Sequence, residues 1–366
     1  MRILLLTTHM NTGGITSYVL TLTRGLVGRG HEVYILSSGG DKEAAFQACG
    51  ATIKRINIQT KSELSPRIFL SLPSLCRYLK KHKIDVIHSQ TRVTQVLALM
   101  LKHLTGRPSV TTCHGFFKAR FGRKLVPAWG DAAIAISSAV HAHLCKDFRV
   151  PQRKICLIRS GIDLNPFLAG DKGQRDKIRH HWGVGTEPVI GMVARLSSVK
   201  GQDILIDAMS LVVKEFPTCR LILFGEGKTE SDLKQQAEKK KLSSQVIFKR
   251  DAGDMAQTLF GLDIFVMPSR EEGLGLSLMD AQAAGLPVVA AAVGGIVDLI
   301  EDGQTGILVP KENPQTLAQA LLLLLKDRDL ARSLGAAARE KALREYSDQE
   351  MVEKVEGVYR RLCKTF

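Results

Sequence analysis

The stretch from Phe265 to Leu299, FVMPSREEGLGLSLMDAQAAGLPVVAAAVGGIVDL, admits few folds. It reads as a buried apolar strand ending at Pro268, a glycine-broken acidic loop, a helix beginning near Ser277, a second buried strand and another glycine-opened helix. Strand, helix and strand in that order make a βαβ unit, which requires a parallel sheet with a right-handed crossover. In an open sheet of this kind ligands bind beyond the carboxyl ends of the strands, where Glu272, Gly273 and Gly275 stand. Glycines let a phosphate approach the backbone, and the following helix N-terminus offers free N–H donors. A carboxylate in the same loop repels phosphate, so Glu272 suits neutral hydroxyls. Phosphate and polyol recognised together point to a nucleotide sugar.

The same alternation runs through the chain. Strands are expected at Arg2–Thr8, Val33–Leu36, Thr52–Ile56, Val86–His88, Ser109–Cys113, Ala132–Ile136 and Ile155–Ile158, with helices between them. Gly, Pro, Asp and Asn then cluster over Gly161–Gly173 and interrupt the pattern. It restarts with strands at Pro188–Arg195, Arg220–Gly225, Val246–Lys249, Ile264–Met267, Val288–Ala291 and Ile307–Val309. The fold class is α/β: two doubly wound, Rossmann-like parallel sheets facing a cleft. The expected domains are residues 1–163 and 174–345, followed by a helix over residues 346–366. At 366 residues the chain is long enough for two such cores.

Charge separates the two halves. Residues 1–165 hold 24 Lys+Arg against 8 Asp+Glu, and the remainder holds 27 against 28. All the excess positive charge therefore lies in the first half, which suggests an anionic surface or acceptor there. Two segments concentrate it: Ser65–Lys83, with Arg67, Arg77, Lys80, Lys81 and Lys83, and Lys118, Arg120, Arg123 and Lys124 among Phe116, Phe117 and Phe121. Either can lie against anionic lipid or pack as an ordinary amphipathic helix. No nucleic-acid recognition motif accompanies the charge, so nucleic acid is not an expected partner. The seven cysteines form no C-x-x-C pair and read as reduced, buried thiols. His141, His143 and Cys145 are spaced by two in an expected helix, a spacing that does not gather metal ligands. There is no apolar run of about 18 residues, and Met1–Thr7 reads as a first buried strand instead of a signal peptide. The expected location is the cytoplasm, with the basic half able to hold the protein on the inner membrane face.

Further motifs fall at expected strand ends. Arg195 closes one strand and Lys200-Gly201 precedes a helix, so two cations can neutralise charge on a departing diphosphate. Gly225-Glu226-Gly227 closes the next strand, and Arg250 and Asp251 the one after. Gly13-Gly14 follows the first strand, but neither Gly-x-Gly-x-x-Gly nor a P-loop is present. His114-Gly115 follows a strand that ends in the same crevice.

These motifs together resemble the retaining family-4 glycosyltransferases of the GT-B fold. The family pattern of Ser, Glu-Gly-Phe-Gly-Leu, a second acidic residue and Ala-x-Ala-x-Gly-x-Pro-Val-Val stands here as Ser269, Glu272-Gly273-Leu274-Gly275-Leu276, Asp280 and Ala281–Val289. The family usually carries Glu where this chain has Asp280. The resemblance implies that Glu272 holds sugar hydroxyls, that amides of Gly273, Leu274, Gly275 and Leu276 touch phosphate, and that Asp280 reaches the ribose. It implies that Arg195 and Lys200 bind the diphosphate and that Gly225, Gly227 and Arg250 lie near the base or ribose. Gly13 and Gly14 would contact phosphate or acceptor, and His114 would orient the sugar. Gln90 stands where the family often has a second His, and Ser160 where it has Asn. The helix over residues 346–366 would return to the first domain. The implied activity is a metal-independent, cofactor-free hexosyl transfer from a UDP- or GDP-linked sugar to a saccharide or lipid-linked acceptor in lipopolysaccharide, exopolysaccharide or glycolipid synthesis. Other activities on the same fold (an epimerase or a phosphorylase) and a non-catalytic sugar-nucleotide-binding subunit are the alternatives.

Overall fold

Seven strands of the first half pair in parallel: β1 (Arg2–Leu6), β2 (Glu32–Ser37), β3 (Thr52–Arg55), β4 (Val86–Ser89), β5 (Ser109–Cys113), β6 (Ala132–Ala135) and β7 (Ile155–Leu157), in the order β3-β2-β1-β4-β5-β6-β7. The computed structural model describes residues 1–58, 60, 65–118, 127–170, 173–250 and 252–364, without the side chain of Arg67. Asp251, Arg120, Phe121, Arg123 and Lys124 lie outside the described residues. Strands β4, β5 and β6 are buried along their whole length. Helices cover both faces of a parallel sheet, so its central strands have no wet side and read as continuous apolar or small-residue runs.

A second sheet repeats the plan with β8 (Val189–Val193), β9 (Arg220–Phe224), β10 (Val246–Lys249), β11 (Ile264–Met267), β12 (Val288–Ala291) and β13 (Ile307–Val309), in the order β10-β9-β8-β11-β12-β13. In each sheet the order reverses beside the first strand, between β1 and β4 and between β8 and β11. The loops leaving those two strands lie side by side at their carboxyl ends, the usual place for a ligand. Phe265, Val266, Val288 and Val289 are fully buried. Each such side chain contributes roughly 1.5–3 kcal/mol over leaving it in water.

The chain forms two compact units, Met1–Gly161 with Asp348–Phe366, and Ile162–Ser347. The final helix, Asp348–Lys364, belongs to the first because Met351, Val352, Val355, Val358 and Tyr359 join the core made by Tyr18, Leu22 and Leu26 of helix Gly14–Gly28. Glu356 is buried at this contact. Arg29 Nε donates to it at 2.6 Å and Arg360 Nε at 2.9 Å, and His31 Nε2 lies 3.0 Å away. Burial opposes its ionisation, yet these donors hold its carboxyl down at about 2.

One expected element differs. Gly294–Asp298 is a 3₁₀ turn and not a longer helix. The amide of Gly295 donates to the carbonyl of Glu272 at 3.0 Å, so the segment is held against the preceding loop.

Candidate functional site

The signature loop is built by β11 and the helix Leu276–Ala283. Gly275 precedes that helix in the left-handed region (φ 109°), and no side chain caps it. Its first amides therefore lack helical partners and are open to an anion. Leu274 is buried and Leu276 partly buried, so only their backbone can serve a ligand. Glu272 is set within this loop: Lys200 Nζ donates to its Oε2 at 2.5 Å and Ser269 Oγ at 3.3 Å. Lys200 comes from the other side of the switch point, on the turn Ser198–Lys200 after β8. Gly201 allows this approach. Its φ is 73°, and a Cβ there would sit 2.1 Å from the Pro268 carbonyl oxygen.

Arg195, also after β8, is exposed, and no described residue pairs with its guanidinium. Its carbonyl accepts from Gln202 Nε2 at 3.0 Å, which fixes the backbone. Asp280 is partly buried, and no hydrogen bond or ion pair reaches its carboxyl among the described residues. Burial pushes that carboxyl up to about 7. Lys200 and Glu272 thus meet between the segments after β8 and β11, and an entering diphosphate would contend with Glu272 for the Lys200 ammonium.

Gly225 and Gly227 have a structural cause of their own. A Cβ on them would lie 2.2 Å from the Ala194 carbonyl oxygen and 1.9 Å from that of Leu196. The amide of Leu196 also donates to the carbonyl of Glu226 at 3.0 Å, so this turn is seated on the Arg195 segment. Arg250 closes onto the same turn, its Nε 2.5 Å from Glu226 Oε1, both side chains in solvent.

In the first unit Gly13 and Gly14 open the helix Gly14–Gly28, again without a side-chain cap. Asp41 holds the loop, accepting from the amide of Thr12 at 2.8 Å and from its hydroxyl at 2.6 Å. The Thr12 hydroxyl keeps the Asp41 carboxyl below its usual range. A carboxylate this close to the glycines makes the loop a better match for hydroxyls than for phosphate.

His114 lies at the end of β5. Its Nε2–H donates to Gln90 Oε1 at 2.8 Å, and its ring stands edge-on to Tyr18 with centroids 4.7 Å apart. His88 is buried behind it, with Nδ1 2.6 Å from the Tyr359 hydroxyl and Nε2 2.7 Å from Thr112 Oγ1. The Tyr18 hydroxyl is 3.4 Å from the same Thr112 oxygen. Burial pushes both imidazoles down to about 3 and the Tyr18 phenol up to about 12. The histidines are neutral at pH 7. His114 can orient a hydroxyl through its Nδ1, which bonds no described residue, but offers no positive charge.

Residues 174–341 match the family model described as glycosyl transferases group 1, and residues 12–166 match glycosyltransferase family 4. The chain belongs to these glycosyltransferases. It is 26% identical over 370 residues to an uncharacterized glycosyltransferase of Methanocaldococcus jannaschii, covering 95% of this chain and 94% of that one. It is 23% identical over 367 residues to the N-acetyl-alpha-D-glucosaminyl L-malate synthase of Bacillus anthracis, covering 97% and 95%. Among solved structures, Anabaena HepE in complex with UDP and glucose superposes with a TM-score of 0.87 at 22% identity, covering 99% of this chain and 100% of that one. The fold is GT-B.

For this glycosyltransferase the structure brings Lys200 and Glu272 together and places Arg195 and Asp280 on the adjoining segments. It gathers His114, Gln90 and Tyr18 separately in the first unit. Sequence reading missed Tyr359, Thr112, Asp41 and Arg270. Tyr359 lies 271 residues from the histidine it meets, a distance no local pattern spans. Arg270 stands beside Ser269 in the signature, where its charge alone was the signal. Among the described residues no three His, Cys, Asp or Glu side chains gather as metal ligands, and no helix is long and apolar enough to cross a membrane.

Proposed function

We propose that the protein is a retaining glycosyltransferase that moves a sugar from a UDP- or GDP-linked donor to a hydroxyl acceptor. The observation that carries this reading is the Lys200–Glu272 pair, 2.5 Å apart at the switch point, with the exposed Arg195, which no described residue pairs, on the adjoining strand end. Lys200 and Arg195 bind the diphosphate and stabilise its charge as it departs, as a divalent cation does elsewhere. Glu272 takes sugar hydroxyls and Asp280 the ribose. The anomeric carbon–phosphate oxygen bond breaks as the acceptor oxygen bonds the same face. The leaving phosphate oxygen takes the acceptor proton, so no enzymic nucleophile is required.

Two relatives are named for small anionic acceptors, L-malate and D-inositol 3-phosphate. The excess positive charge over residues 1–165 supports an anionic acceptor here too, phosphorylated or lipid-linked, as in polysaccharide or glycolipid synthesis. Helix Pro66–Lys81 supports the lipid-linked form, because Leu70 is 81% and Phe69 45% exposed and Arg77, Lys80 and Lys81 are also exposed. Leu70→Glu should then reduce sedimentation with phosphatidylglycerol vesicles, and equal sedimentation of variant and parent would remove the membrane from this reading.

A thermal-shift panel of UDP, GDP, ADP and their sugars tests the donor. A ligand at about 100 times its Kd should add roughly 2.7 kcal/mol. If no nucleotide raises Tm, the donor assignment is wrong.

A further inference from the structure

Contacts of Arg270, from its backbone amide and from its guanidinium, bracket Lys200. The Arg270 amide donates to the carbonyl of Val199 at 2.8 Å. Its Nη1 donates to the carbonyl of Ser198 at 2.6 Å and to Asp203 Oδ1 at 2.9 Å, and its Nη2 donates to Asp203 Oδ2 at 2.7 Å. Its Nε donates to Glu312 Oε1 at 2.9 Å. The chain is thus gripped at the two residues before Lys200 and again at Asp203, in the first turn of helix Gln202–Glu215. Glu272 lies two residues beyond Arg270 on the same loop. The two ends of the Lys200–Glu272 pair are carried by segments that Arg270 ties together.

The grip is charge-assisted on every carboxylate. Hydrogen bonds to the Asp203 carboxylate raise the Arg270 guanidinium above its usual range. Burial opposes ionisation of Asp203, but Arg270 outweighs it and holds that carboxyl low. The side chain is 30% exposed, so solvent competes with the contacts only in part. Only a planar fork with a third donor can engage Asp203 with two nitrogens, a backbone carbonyl and Glu312 at once; a lysine cannot.

We infer that Arg270 is a positioning residue that sets the Lys200 ammonium against Glu272 and the diphosphate. It does so by clamping the Ser198–Asp203 segment to the signature loop. The inference rests on the proposed donor site for its catalytic consequence, but the clamp itself has a test that needs no activity. Reductive methylation of the intact protein should modify Lys200 faster in Arg270→Gln than in the parent, about fivefold, with Lys234 in the same unit unchanged; that factor corresponds to a modest loss of pairing. Arg270→Lys should not restore protection. Unchanged Lys200 reactivity, or an equal rise at Lys234, overturns the positioning role.

Turnover then reads the coupling. Arg270→Gln should lower kcat about tenfold in the parent and less than about twofold in the Lys200→Ala background, because one loss subsumes the other. Equal factors in both backgrounds also overturn the proposal. A protein that shows the labelling change but binds no nucleotide would keep the clamp and refute the donor assignment, so the two failures are distinguishable.

Discussion

Two strand-end crevices with the same topology carry opposite electrostatics. After β8 and β11 stand a salt bridge and an exposed cation: Lys200 with Glu272, and Arg195, which pairs with none of the described residues. After β4 and β5 the side chains are neutral and desolvated: His88 and His114, both pushed down to about 3, with Thr112, Tyr18 and Tyr359 behind them. The difference follows from what stands on each sheet. The final helix covers the first unit's core and delivers Tyr359 to His88, whereas the second crevice keeps charged side chains in contact with solvent. One crevice is equipped to meet a changing charge, and the other to hold neutral hydroxyl groups in fixed directions.

This contrast is broken most directly at the cations. Arg195→Ala or Lys200→Ala should lower turnover at least about 100-fold, in line with losing about 3 kcal/mol of charge stabilisation. Arg195→Ala should leave Tm nearly unchanged, since the side chain is exposed and no described residue pairs with it. A steady-state assay showing parental kcat in either variant would remove the cations from the chemistry.

The buried side should respond in stability first. Tyr359→Phe leaves a ring nitrogen of His88 without its 2.6 Å partner, at a cost of roughly 1–3 kcal/mol in denaturant unfolding. The same network gives a pH signature. The folded imidazoles titrate near 3 against 6.5 when unfolded, so the unfolded chain binds more protons between those values. Their contribution is fully present above about pH 6.5 and is lost as pH falls toward 3. Melting curves of His88→Gln from pH 7 to 5 should therefore fall less steeply than those of the parent; parallel curves would show that His88 is not held neutral by burial.

Asp280 sits between the two characters and gives the smallest effect. Its carboxyl is pushed up to about 7 from 3.8, so ionising it as pH rises through that interval costs the folded state. Asp280→Asn should raise Tm slightly at pH 8. Asp280→Ala should weaken nucleotide binding several-fold, and Asp280→Glu should retain it, roughly as expected for one hydrogen bond. Calorimetry finding Asp280→Ala as tight as the parent would take this position out of the site.

Much of this was legible before any coordinates. The βαβ alternation is written in local apolar periodicity, so every strand of both sheets was placed within a few residues. Lys200 and Glu272 were legible as separate motifs because strand-end loops with glycine and charge have a restricted use. Their 2.5 Å contact was not, since it depends on which strands become neighbours across the reversal in order. The 3₁₀ turn at Gly294–Asp298 escaped for a similar reason, as its shape is tied to the Glu272 carbonyl and not to its own propensity.

By itself the sequence determined the α/β class, the two parallel sheets and the identities of the charged residues at the strand ends, because these follow from local patterns of burial and turn chemistry. Only the tertiary structure decided that Arg270 bonds Ser198 and Asp203 on either side of Lys200, that Tyr359 reaches His88, and that Lys200 meets Glu272 while no described residue pairs with the Asp280 carboxyl. Those outcomes depend on contacts between distant segments and on the desolvation they impose, and neither is encoded at any one position.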